Sequence, residues 1–297
     1  MSQQPTRSAA TGVIGLGVMG RPMAANILRN GSAVHITGRS RAKYDDLIAA
    51  GAIWHDTAQS LADAVGVIML MLPDLPEVEG VLSGPGGILA GQFDDLLLII
   101  ASTSSPIGVR DLAQRLARET GGRVRVIDAP VSGGSEGAHA GTLSIMVGGE
   151  PRDVSDALPV LAACGNPVHL GPLGSGQVAK ACNQMIVAST VLALGEAAVL
   201  ADRSGIDLAE LFRLLAGGYA GSRILETRGD RIVSENYAPS GAARYMVKDL
   251  AFASTIAEAT NTHVVLLPAV RAAFTELTAQ GHGDDDIAVT RRYIAER

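Results

Sequence analysis

Residues 11–30 read T-G-V-I-G-L-G-V-M-G-R-P-M-A-A-N-I-L-R-N. A short apolar strand, Thr11 to Gly15, runs straight into G-L-G-V-M-G, and a helix with Pro22 in its first turn follows. Strand, glycine turn and helix in that order are the dinucleotide fingerprint. The first glycine makes the turn, the second lets a pyrophosphate reach the backbone, and the third lets the helix lie on the sheet. Amide groups at the helix start then face the phosphates. Gly15, Leu16, Gly17, Val18, Met19 and Gly20 are the expected cofactor contacts.

Working outward, Ala33 to Thr37 is a second strand and ends in G-R-S-R, Gly38 to Arg41. Sites for NAD place an acid at this strand end to hold the ribose 2′-hydroxyl. Here Gly38 stands in its place, with Arg39, Ser40 and Arg41 after it. An acid would repel a 2′-phosphate, whereas an arginine fork grips one. The expected cofactor is NADP, with NAD as the alternative.

A helix is predicted over Arg41–Ala50 and a short one near Ser60, before the apolar strand V-G-V-I-M-L-M-L that ends at Pro73. Continuous apolar runs of this length suit strands covered on both faces. Met71, Leu72 and Pro73 would lie beside the glycine turn, where open sheets bind ligands. Leu96 to Ala101 is another buried strand, followed by Ser102 and Thr103, which would contact ribose or nicotinamide or else cap the helix starting near Pro106. The strand Arg123–Asp128 leads into A-P-V-S-G-G, where Ser132, Gly133 and Gly134 offer a hydroxyl and bare amides to an anion such as a substrate carboxylate. T-L-S-I-M-V-G-G is a strand, Pro151 to Ala163 a helix, and Pro167 to Leu170 a last short strand.

From Gly174 to Ala201 the chain is apolar almost all round, with Ser175 as the expected N-cap. One helix of that length spans roughly 40 Å and must be buried by protein or lipid. Lys180, Asn183 and Gln184 sit at i, i+3 and i+4 and so share a face near its start. Together with Glu196 they interrupt the apolar run, which favours burial in protein over a membrane span. After Ser204 only helices are predicted: Asp207–Ala216, Ser222 to about Ser234, Tyr245–Thr260, Val264–Gln280 and Asp284–Ala295. The organisation is a flexible tail over 1–10, an α/β dinucleotide-binding domain (Rossmann-type, doubly wound) over 11–173, and an all-helical substrate and dimerisation domain over 174–297.

Composition narrows the classes. The 297 residues are 47% hydrophobic and 18% charged, enough for a large core. A net charge of -6 and the lack of a basic extension argue against a nucleic-acid partner and a chromatin-associated module. The six histidines show no metal-binding spacing, and none is expected to hold a metal. Cys164 and Cys182 are expected as buried, free thiols in a reducing, cytoplasmic setting. The polar start M-S-Q-Q-P-T-R-S lacks the apolar stretch of a signal peptide.

Five segments in order now carry a resemblance: G-L-G-V-M-G-R-P-M-A-A-N-I-L, M-L-P at 71–73, D-A-P-V-S-G-G at 128–134, G-S-G-Q-V-A-K-A-C-N-Q at 174–184 and V-K-D-L at 247–250. Over nearly its whole length the chain resembles the β-hydroxyacid dehydrogenases, which include 3-hydroxyisobutyrate dehydrogenase, tartronate semialdehyde (2-hydroxy-3-oxopropionate) reductase and the related 6-phosphogluconate dehydrogenases. The resemblance implies that Lys180 is the catalytic lysine and that Ser132, Gly133 and Gly134 hold the substrate carboxylate. It places Asn183 and Gln184 in the same pocket and Lys248 beside the nicotinamide. Many relatives have Asn where this chain has Gln184. The glutamine, with L-A-G-G-Y-A-G-S at 215–222, looks more like the tartronate semialdehyde reductase branch; threonate dehydrogenases share it.

The implied chemistry is hydride transfer between a nicotinamide and a small carboxylated semialdehyde or its hydroxy acid. A carbonyl oxygen being reduced gains negative charge and needs a proton donor within reach, and a lysine ammonium supplies both charge and proton. Substrates of 3-hydroxyisobutyrate, threonate or succinic semialdehyde (4-hydroxybutyrate) dehydrogenases are the nearest alternatives. An imine reductase on the same scaffold is a further class, against which Lys180 counts. A homodimer or homotetramer is expected, joined through the apolar remainder of the long helix.

Overall fold

A computed structural model describes residues 10–297, so the expected tail over 1–9 lies outside the described residues. Ala10 does not belong to a tail; it opens the first strand. The described chain forms two compact units that meet within one helix, the first ending at Lys180 and the second starting at Ala181.

In the first unit the elements alternate: β1 (Ala10–Ile14), α1 (Gly20–Arg29), β2 (Ala33–Thr37), α2 (Asp45–Ala49), β3 (Ile53–Trp54), α3 (Ala58–Ala62), β4 (Val67–Leu70), α4 (Leu75–Leu82), β5 (Leu96–Ile100), α5 (Pro106–Thr120) and β6 (Val124–Asp128). Then come β7 (Val131–Ser132), α6 (Gly134–Ala140), β8 (Leu143–Gly148), α7 (Pro151–Ala162), β9 (Gly165–Gly171) and the start of α8 (Ser175–Arg203). The sheet order is β3-β2-β1-β4-β5-β6-β8-β7, with β9 on β8. From β3 to β6 every pairing is parallel, and β8 runs antiparallel to β6 and β7. The order 3-2-1-4-5-6 is that of doubly wound nucleotide folds, whose ligands bind where it reverses, between β1 and β4.

The long apolar strands are central for a physical reason. β4 and β5 are buried along their whole length, with one apolar cluster on each face of the sheet. Helix ends follow local chemistry: Asp74 and Glu77 form a capping box on α4, and Ser105 caps α5 by accepting from the Gly108 amide.

The second unit contains the rest of α8, then α9 (Leu208–Ala216), α10 (Arg223–Val233), α11 (Arg244–Ala259), α12 (Leu267–Leu277) and α13 (Thr290–Ala295). Its core gathers Ala188, Val191, Leu194 and Ala198 from α8 around Phe274, Leu277 and Tyr293. Gly195 lets Thr290 lie directly on α8, where the threonine hydroxyl donates to the Val191 carbonyl at 3.0 Å.

Several expectations need correcting. The helix expected over Arg41–Ala50 is a 3₁₀ turn, Arg41–Tyr44, followed by α2. The helix expected from Asp284 starts only at Thr290. Buried Asp286 accepts from the Gly241 and Ala288 amides at 3.0 Å each, holding the preceding chain as a turn. Ser175 is the first helical residue of α8, not its cap. Cys164 is buried as expected, and burial pushes its thiol up to about 12, but Cys182 is exposed. The chain's turn to β3, α4, α6 and β7 was not foreseen.

Candidate active site

The glycine turn is built as its three positions require. Gly15 has φ +95°, and a Cβ there would collide with the Met71 carbonyl oxygen at the end of β4. A Cβ on Gly20 would collide with the Gly15 carbonyl oxygen. At Gly17 nothing lies within 4 Å, which leaves the space a pyrophosphate needs beside bare backbone. Leu16 is buried, while Val18 is exposed and Met19 packs on the core edge. Met71 and Leu72 are half-buried at the carboxyl end of β4, and Pro73 is exposed. The residues present therefore fit a dinucleotide.

At the end of β2, Gly38 lies under the Tyr44 ring, and a Cβ there would stand 2.9 Å from Tyr44 Cε2. Tyr44 in turn stacks on Trp54. The position of an NAD-type acid is thus covered by a tyrosine. Arg39, Ser40 and Arg41 are exposed, and neither arginine has an ion pair among the described residues. Ser102 is not placed as a cofactor contact. It is buried, accepts from the Leu72 amide at 3.0 Å and donates to the Leu70 carbonyl. Thr103, beside it, is half-buried.

The D-A-P-V-S-G-G segment turns sharply. Ser132 ends β7, half-buried; Gly133 (φ +135°) and Gly134 (φ +66°) are exposed in conformations that favour glycine.

Sequence reading missed the acid that starts this segment. Asp128, the last residue of β6, is 0% exposed. Its Oδ1 accepts from the Gly174 amide at 2.7 Å, and its Oδ2 accepts from the Gln177 amide at 2.6 Å. One carboxylate thereby takes two of the unpaired donors at the start of α8. The Gln177 side chain, also buried, donates to the Ser102 carbonyl at 2.8 Å and accepts from the Ser104 amide at 2.9 Å. Lys180 follows three residues on and is only 7% exposed. The signal in the sequence was an acid at the end of an apolar strand, a position burial makes unfavourable unless donors await it.

Burial pushes the Asp128 carboxyl up to about 6, although the Gly174 and Gln177 amides and the Arg110 guanidinium pull it back.

Asn183 and Gln184 continue along α8 in the second unit. Asn183 donates to Gln184 Oε1 at 2.9 Å; Gln184 Nε2 donates to Asp249 Oδ2 at 2.6 Å and contacts the Met246 sulfur. Asp249 is buried and its other oxygen accepts from Lys248 Nζ at 2.9 Å. Lys248, half-buried, also lies over the Phe252 ring. The structure thus joins Asn183, Gln184 and Lys248 through Asp249, the residue after Lys248 in V-K-D-L.

A doubly wound sheet with this glycine turn at its switch point, followed by a helical unit, is the architecture of a dinucleotide-dependent enzyme. The family described as the NAD binding domain of 6-phosphogluconate dehydrogenase matches residues 10–174, and that described as NAD-binding of NADP-dependent 3-hydroxyisobutyrate dehydrogenase matches residues 174–294. The chain is 39% identical to 2-hydroxy-3-oxopropionate reductase of Escherichia coli over 84% of both chains. It is 34% identical to an NAD-dependent L-serine dehydrogenase of Pseudomonas aeruginosa, over 94% of this chain and 95% of that one. A solved 3-hydroxyisobutyrate dehydrogenase from Salmonella typhimurium superposes with a TM-score of 0.86 at 26% identity, covering 95% of this chain and 99% of that one. The chain belongs to the β-hydroxyacid dehydrogenase family, and it is an oxidoreductase that uses a nicotinamide cofactor.

The raised Asp128 carboxyl has a sign that can be measured. Between about pH 4 and 6 the native protein holds a proton that the unfolded chain has released, so this group's contribution to stability is full below about pH 4 and is lost as pH rises through about 6. A shift of that size is worth about 3 kcal/mol. Urea unfolding of wild type and Asp128→Asn should show a difference that changes by about that amount from acid to neutral pH. Exposed Asp46 and Glu276, whose carboxyls arginines hold below the usual range, act in both proteins and cancel.

Proposed function

We propose that the protein is an NADP-preferring reductase of a small carboxylated semialdehyde, of the 2-hydroxy-3-oxopropionate type, with Lys180 as general acid and base. The observation that carries this reading is a buried lysine one turn into a helix whose start is fastened at the carboxyl edge of a dinucleotide-binding sheet.

The bound nicotinamide supplies or accepts the hydride. Gly15–Gly20 hold the dinucleotide, with Met71, Leu72, Pro73 and Thr103 along the adjoining strand ends. Arg39 and Arg41, with Ser40, take the 2′-phosphate, favoured by the covered glycine at 38. Ser132 and the bare amides of Gly133 and Gly134 hold the substrate carboxylate. Lys180 donates a proton from Nζ to the carbonyl oxygen as charge grows there and takes it back in the reverse direction. Asn183, itself held by Gln184, orients the substrate hydroxyl.

The 39% identity to a 2-hydroxy-3-oxopropionate reductase supports the substrate class, while the serine dehydrogenase relative favours testing L-serine in the oxidative direction. The exposed apolar residues of α8, Ile186 at 63% and Leu200 at 71%, support a homodimer or homotetramer built on this helix. α8 has the length and hydropathy of a membrane span, yet it carries Lys180, Asn183 and Gln184 and packs into the helical core, which supports a cytoplasmic protein.

Lys180→Ala is expected to lower kcat by about 10²–10⁴-fold with cofactor affinity nearly intact; unchanged turnover would falsify the role. A panel of semialdehydes and L-serine with both cofactors should give the highest kcat/KM for 2-hydroxy-3-oxopropionate and a lower KM for NADPH than for NADH. A clear NADH preference overturns the reading of Gly38–Arg41. Light scattering at micromolar concentration should return a multiple of 30.5 kDa, and a monomeric mass would refute assembly through α8.

A further inference from the structure

We propose that Asp128 is a positioning residue for the reaction: by taking the Gly174 and Gln177 amides on its two oxygens it sets where α8 starts and, through the helix, where Lys180 Nζ stands. The inference rests on the reading of Lys180 as proton donor and goes beyond it, since Asp128 touches neither substrate nor cofactor in that scheme.

Three observations carry it. The geometry is two-pronged, at 2.7 and 2.6 Å, and an object held at two points along its first turn has a defined rotation as well as a defined position. The surroundings are cut to fit the carboxylate. A Cβ on Gly148 would collide with Asp128 Oδ1 and lie 2.8 Å from the Ser175 nitrogen; one on Gly176 would collide with the Met146 carbonyl and lie 2.8 Å from Asp128 Oδ2. Gly174, at φ +93°, carries the turn into the helix. Finally, Gln177 repeats the fastening on the next strand, from Ser102 and Ser104 after β5, so Lys180 lies one turn beyond a doubly anchored start.

Protonation removes half of this hold. A neutral carboxyl keeps one accepting oxygen but turns a hydrogen toward one of two N–H donors, which costs a bond and adds a repulsion. Burial brings that titration up to about 6. The charged groups around it are few. Arg110 on α5 reaches toward Gly174 and favours the carboxylate. Arg125 on β6 is engaged by Asp95, Asp153 and Asp156. His169 on β9 is turned to the Gly149 and Gly171 carbonyls, and Glu150 after β8 is exposed. Lys180 itself is the next charge along α8.

The test is kcat against pH, from about 5 to 9 at saturating substrate and cofactor, for wild type, Asp128→Asn and Lys180→Ala. Cofactor affinity is read from Trp54 fluorescence and folding from circular dichroism. Wild type should lose kcat on the acid side with a midpoint near 6 while staying folded. Asp128→Asn, which sets an amide N–H against one of the two donors, should lose about a hundredfold in kcat at neutral pH. It should keep its cofactor affinity within about twofold and show no acid limb near 6, a pattern that a merely destabilising change does not produce. Asp128→Asn with wild-type kcat overturns the inference, as does a wild-type kcat that is flat to pH 5. Should Asp128→Asn not accumulate folded, Asp128→Ser takes its place, since its hydroxyl can accept only from one of the two amides held by the carboxylate: a lowered kcat with cofactor affinity kept supports the assignment, and a wild-type kcat overturns it. Full turnover in Lys180→Ala would instead remove the reading on which the inference rests. An inactive Lys180→Ala beside an unaffected Asp128→Asn removes only the inference.

Discussion

The first unit is organised around one buried carboxylate meeting one helix start. A helix leaves its first amides without partners, and at a sheet edge closed to water those donors must be met by protein. Asp128 meets them with charge-assisted bonds, which are shorter and stronger than neutral ones. Removing its charge from water is unfavourable, and its carboxyl rises to about 6 as a result. The two amide bonds, the helix dipole and Arg110 offset that cost. Glycines at 148 and 176 are a consequence, since any side chain there would occupy the space of the contact itself.

The second unit repeats the device with a different purpose. Asp249 is buried between a lysine on its own helix and an amide on α8, using one oxygen for each. Asp286 is likewise buried, gathering the Gly241 and Ala288 amides and facing Arg228 at 3.4 Å and Arg231 at 3.8 Å. In each case a carboxylate out of water is tolerable because donors converge on it. Apolar packing supplies the bulk of each unit, while these acids decide register and orientation within it.

This division explains what was legible in the sequence. Patterns short in the chain were readable: the glycine turn, the buried runs that became β4 and β5, and the helical period after Ser204. The doubly wound order followed from the fingerprint and the alternation of elements. Contacts distant in the chain were not. Asp128 lies 46 residues from Gly174, so nothing local marks it as a cap for α8. Asp286 breaks a periodic stretch through a partner 45 residues away. Cys182 sits in an apolar run and was expected inside, but the run is apolar on more faces than the unit has neighbours to cover. The two-residue strand β7 and the seven-residue α6 are too short to show a period at all.

Gln184 changes most once its partners are visible. As a sequence feature it stood for substrate preference by direct contact. In the structure its amide nitrogen serves Asp249 and its oxygen accepts from Asn183. An asparagine at the same place is one methylene shorter, and from the same turn of α8 its amide would fall short of a carboxylate now held at 2.6 Å. Asp249 would then keep the Lys248 ammonium on one oxygen and lose the amide donor on the other, and an under-satisfied buried carboxylate is costly. The glutamine is therefore explained first by the acid it satisfies, and any effect on substrate choice passes through how Asn183 and Lys248 are held.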